Sequence, residues 1–202
     1  MKLTPLQHIT VLYLLTIVFS YIATVPGKQF IYHENELLEN IQAVFLLLSL
    51  AVFLVSIPRA EQSLRPLLFA GSLFFLTMFL REVDIEDTTL PDIFIRMGSG
   101  HGRNIILLSL WIAVFGIILE HPTYYGRILR HLLFSNAGAL YVIGGLFLLL
   151  GEYMDYQSRS LRFYEELAEL AGFYFMFAAA LSTTDTLSNS LLQTAATKSL
   201  KA

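Results

Sequence analysis

With 202 residues, 55% of them hydrophobic and only 14% charged, and a mean hydropathy of +0.62, the chain carries more apolar side chain than a soluble domain of this length buries. The absence of cysteine excludes disulfide frameworks, thiolate zinc sites, cysteine nucleophiles and iron–sulfur ligation. A net charge of −3, from 13 basic and 16 acidic residues, lacks the cationic surplus that nucleic-acid binding requires. The expected surroundings are a lipid bilayer, with other membrane proteins as the remaining class of partner.

A helix crosses a hydrocarbon core of roughly 30 Å with about 20 apolar residues. Six stretches meet that requirement, at about 9–26, 37–58, 64–82, 103–120, 131–152 and 163–182, each bounded by charge, Pro or Gly. The expected fold is all-α and polytopic: one six-helix transmembrane domain over 1–185, then a polar tail over 186–202 that is Ser/Thr/Ala-rich and frayed. The first span follows Lys2 but precedes no Ala-x-Ala-like cleavage site, so it reads as a retained anchor rather than a secretory signal. Gly138, Gly144, Gly145 and Gly151 in the fifth span, and Ala168 with Gly172 in the sixth, form small-residue seams for close helix packing.

An even number of spans places both termini on one side. With the termini cytoplasmic, seven Lys and Arg lie inside and six outside, a thin margin under the positive-inside rule. The acids divide much less evenly, because thirteen of the sixteen carboxylates fall on the outer face. The second span opens Glu36-Leu37-Leu38-Glu39 and the sixth opens Glu166-Leu167-Ala168-Glu169, so each sets two carboxylates on one helical face. The third span closes with Glu82 and Asp84, and the fifth with Glu152 and Asp155, at the same depth.

Helix ends meet water and are polar for that reason alone, and acids at the start of the second and sixth spans also favour the helix dipole. That explanation fails for Glu82, Asp84, Glu152 and Asp155, which sit at helix C-termini where the dipole disfavours them. At an effective dielectric near 20, two carboxylates about 6 Å apart repel by roughly 3 kcal/mol. Converging acids must therefore be protonated, paired with arginine, or hold a cation. Glu39, Glu82 and Glu169 are the expected lining of a shared cavity, joined by Glu36, Asp84, Glu152 and Glu166. His33 precedes Glu36 by three residues, so a divalent metal ion is the candidate cofactor, although no paired Glu-x-x-His pattern of a di-iron bundle is present.

A second feature is Gly98-Ser99-Gly100-His101-Gly102-Arg103, just before the fourth span. Free backbone N–H groups beside His101 and Arg103 suit a phosphate or lipid headgroup, while the glycines equally serve a tight re-entry into the membrane.

The segments Glu34–Asn40, Leu80–Asp84 and Glu165–Leu170 resemble those of a group of small six-helix bacterial inner-membrane proteins of uncharacterised function, over about 34–182. The resemblance implies a multi-pass inner-membrane protein and no catalytic role. The leading functional expectation is a carboxylate cluster binding a divalent cation or a proton, for ion sensing or transport. Against transport, the span interiors offer mainly hydroxyls such as Ser49, Ser72, Thr77 and Ser109 as a polar path. The alternatives are a metal-dependent hydrolase acting on a lipid or lipid-linked phosphate, and a structural or assembly subunit whose acid face docks a basic partner.

Overall fold

The computed structural model describes residues 5–24, 37–83, 99–157 and 161–199. These form α1 (Pro5–Thr24), α2 (Leu37–Ser56), α3 (Arg65–Glu82), α4 (Gly100–Glu120), α5 (Pro122–Leu133), α6 (Asn136–Gln157) and α7 (Arg162–Ser199), with two short 3-10 turns between α2 and α3. The described chain is all-α. Five of its helices, α2, α3, α4, α6 and the Arg162–Leu187 part of α7, are long and apolar enough to cross a membrane.

Breaks between helices follow from local chemistry. Pro58 ends the run of α2 in a 3-10 turn, Pro66 occupies the first turn of α3, and Pro122 starts α5, each where a missing N–H costs nothing. The expected fifth span at 131–152 is displaced, because the chain turns at Ser135 and the apolar helix is Asn136–Gln157. His131 instead closes α5, a helix with Arg130 and His131 in its last turn. A single helix also runs from Arg162 to Ser199, continuing past Ser182.

The helices pack in the order α6, α7, α2, α3, α4, with α1 set against α2 and α7 through Phe19, Leu38 and Leu170. His8 Nδ1 lies 2.9 Å from the Tyr174 hydroxyl and ties the start of α1 to α7. Helix α7 is central: 61% of its membrane-length window is buried, against 11% for α4. Leu46, Phe53, Phe75, Phe173 and Met176 make the main core, with the Phe53 and Phe75 rings stacked at 5.8 Å. A Cβ at Gly71 would stand 2.5 Å from the Phe53 ring, so the α2–α3 approach depends on glycine there.

Apolar side chains that are not in this core point outward, among them Ile105, Leu108, Ile112 and Leu119 of α4, and Leu146 and Leu149 of α6. A soluble protein does not sustain such continuous apolar surface, whereas hydrocarbon is a good solvent for it. Ser49, Ser72, Thr77 and Ser109 donate to the carbonyls of Phe45, Leu68, Leu73 and Ile105, one turn earlier. That arrangement uses each hydroxyl hydrogen inside its own helix, and Thr77 Oγ1 also accepts from Trp111 Nε1 of α4 at 3.3 Å.

The glycine seam joins α6 to α7 as the small-residue spacing predicts. A Cβ on Gly144 would meet the Gly172 carbonyl oxygen at 3.0 Å, whereas one on Gly145 meets nothing within 4 Å. Gly144→Val should therefore destabilise the bundle by about 1–3 kcal/mol through overpacking. It should lower the unfolding midpoint in detergent, while Gly145→Ala leaves the midpoint unchanged or slightly raised.

Candidate functional site

The acid-bearing ends of α2, α3, α6 and α7 lie at one end of the bundle. Glu166, in the first turns of α7, is only 3% exposed, and Gln42 of α2 is fully buried against it. The Gln42 amide Nε2 donates to the Glu166 carboxylate Oε2 at 3.0 Å and to the Glu166 backbone carbonyl at 3.1 Å. Gln42 Oε1 is buried and has no hydrogen-bond partner among the described residues. A buried amide oxygen left unpaired costs on the order of 1–3 kcal/mol, which marks a place where a donor or cation would be stabilised.

One turn deeper, Glu169 is half-buried. Its side chain lies over Gly151 of α6, where a Cβ would come within 2.7 Å of Glu169 Cγ, so glycine at 151 makes room for the carboxylate. The charges acting on Glu169 come from Glu82 of α3, from Glu166 and Glu165, and from Arg81. Those acting on Glu166 come from Glu39 of α2, Glu165 and Arg162. Glu165 in turn feels Asp155, Arg162, Glu152 and Glu39. Four helices therefore bring carboxylates within electrostatic reach of one another.

The individual placements differ. Glu82 ends α3 with its side chain 14% exposed, and Arg81 Nη2 lies 2.8 Å from its Oε1. Arg81 is itself mostly exposed, so this pair contributes at most a fraction of a kcal/mol. Glu39 is half-buried in the first turn of α2, and Glu152 is exposed on α6. His33, Glu36 and Asp84 lie outside the described residues. Among the described residues no three His, Asp or Glu side chains are grouped so as to hold a metal ion.

The described part of the glycine-rich stretch enters α4 at the same end of the bundle as the acids. His101 is exposed in the first turn of α4, and the Arg103 guanidinium donates to the Leu80 carbonyl, capping the end of α3. Part of the Arg103 fork is thus committed to joining α3 and α4.

Gln42 was not among the residues expected to matter. It lies three residues after Glu39, on the same face of α2, and a lone amide one turn below an acid within an apolar run is the signal that marks it. Comparison with known proteins finds no matching family model, no similar curated protein and no similar solved structure.

Gln42→Leu should cost about 2 kcal/mol, since it leaves a buried carboxylate without its charge-assisted donor. Adding Glu166→Leu should restore part of that loss, because both partners are then removed together. A double-mutant cycle of chemical unfolding in detergent reads the coupling.

Proposed function

We propose that this chain is a multi-pass protein of a bacterial inner membrane whose acid end takes up a positive charge, a proton or a divalent cation, for ion sensing or transport. In this reading α1 is the sixth span and both termini are cytoplasmic. The single observation that carries it is the buried Glu166–Gln42 pair, with an amide oxygen beside it that is unpaired among the described residues, and Glu39, Glu82 and Glu165 acting on it or on its neighbour Glu169.

A carboxylate withdrawn from water among other carboxylates needs compensation. Arg81 and Arg162 are the cations acting on these acids among the described residues, and one of them is spent on Glu82. Protons supply the remainder without any fixed coordination geometry, and this favours the proton form of the proposal within the described residues. A divalent form requires ligands from His33, Glu36 or Asp84 in addition. Sensing is favoured over transport because the polar groups of α2, α3 and α4 between the cluster and the opposite helix ends are mainly hydroxyls whose hydrogens are held by their own helices, with no ionisable side chain among them.

The test is stability in detergent against pH and against added Mg2+, Mn2+ or Zn2+. A ligand that binds only the folded state stabilises it by about 2.7 kcal/mol at a hundredfold excess over its Kd. A proton held only by the folded state should make the unfolding midpoint rise as pH is lowered. The Glu166→Gln/Glu169→Gln double variant should show a smaller rise. A rise with metal at constant pH selects the divalent form, and a wild-type midpoint indifferent to both pH and metal contradicts the proposal.

A further inference from the structure

At the end of the bundle opposite the acids, an open groove of about 1120 Å³ lies between the start of α3, the end of α4 and the start of α5. Its deep wall is apolar, formed by Phe69, Val114 and Ile117 from two membrane-length helices. Its mouth is polar, with Gln62, Ser63, Thr123 and Tyr124 at the depth where the helices leave the hydrocarbon. Tyrosines fix that mouth: the Tyr124 hydroxyl donates to Ser63 Oγ and the Tyr125 hydroxyl to the Ser63 carbonyl, both at 3.1 Å. Tyr125 is 4% exposed, and burial pushes its phenol above the usual range, with Tyr124 and Glu120 adding to the shift. It therefore remains a protonated donor through neutral and mildly alkaline pH.

Apart from His121, the ionisable side chains lining the groove besides these phenols are one cation, Arg65, and one acid, Glu120. Arg65 Nε reaches the Ala60 carbonyl at 3.4 Å, and its two terminal amino groups make no hydrogen bond among the described residues. A planar fork of this kind suits a phosphate, and a carboxylate suits an ammonium. The balance of charge is zwitterionic, and it stands above an apolar wall.

The geometry points to a binding site for a single glycerophospholipid with a zwitterionic amino-alcohol headgroup, its phosphate on Arg65, its ammonium on Glu120, and its acyl chain along Phe69, Val114 and Ile117. This site is distinct from the acid cluster, and its occupancy is independent of any cation taken up there. A free phosphate would use Arg65 but neither Glu120 nor the apolar wall. An anionic lipid would use Arg65 and the wall but would be repelled by Glu120.

The test is native mass spectrometry of the full chain released from nanodiscs containing equal parts of phosphatidylethanolamine and phosphatidylglycerol. One phosphatidylethanolamine should be retained per chain, in preference to phosphatidylglycerol. Arg65→Gln should lower retention of both lipids about tenfold. Glu120→Gln should abolish the preference while phosphatidylglycerol retention is kept or raised, a change that a merely misfolded variant would not give. Helical content by circular dichroism verifies each variant. Absence of retained lipid, preference of the wild type for phosphatidylglycerol, or an unchanged preference in Glu120→Gln overturns the proposal. So does equal competition by soluble glycerophosphoethanolamine, which would show that the apolar wall contributes nothing.

Discussion

A carboxylate cannot be taken out of water without a positive charge or a full set of donors to replace it, and Glu166 is where this chain meets that constraint. It is 3% exposed on the most buried helix of the bundle, beside an amide that satisfies one of its oxygens and leaves its own oxygen unpaired among the described residues. Neighbouring acids raise the requirement rather than relieving it. Gly151 follows from the same constraint, since a side chain there would occupy the space that Glu169 uses. Packing and electrostatics are thus coupled, because close approach of α6 to α7 along Gly144, Gly151 and Gly172 is what brings the acid-bearing ends together.

Much of the fold was legible because long, continuous apolar runs leave few alternatives to long helices. Five apolar helices stand where long apolar runs occur, and of the four glycines expected to form the seam Gly144 and Gly151 meet α7, whereas Gly145 faces open space and Gly138 meets the Leu132 and Leu133 carbonyls. The amphipathic α5 was missed because the apolar residues from His131 onward were joined to the next span. The proline at 122 and apolar residues at Tyr125, Ile128, Leu129 and Leu132 carry the 3.6-residue pattern that identifies it. The central place of α7 was not legible from hydropathy, since a helix surrounded by protein and one surrounded by lipid are both apolar. Its run of small residues, Ala178, Ala179 and Ala180, all buried, is the trace that distinguishes them.

The candidate site was legible in part for the same reason. Acids at span ends stand out against an apolar background, and helix packing sets Glu39, Glu82, Glu166 and Glu169, from three helices, within electrostatic reach of one another despite their mutual repulsion. Which of them would be buried depended on helix order, and a sequence does not state helix order. Gln42 was hidden because an uncharged polar residue within a span does not interrupt the hydropathy. The two ends of the bundle therefore differ in kind: one gathers partly buried carboxyl groups, and the other opens a half-apolar groove lined by one arginine and one glutamate.

Convergence of acid-bearing ends from helices that are not neighbours in the packing order is the central structural claim, and the cysteine-free sequence allows it to be tested cleanly. Cysteines placed singly at Glu82 of α3 and Glu169 of α7 should be joined rapidly by a short bifunctional thiol reagent in native membranes. Failure of that pair to cross-link, under conditions where cysteines at Asp155 of α6 and Glu165 of α7 are joined, would show the acids facing separate surroundings and would contradict a shared site.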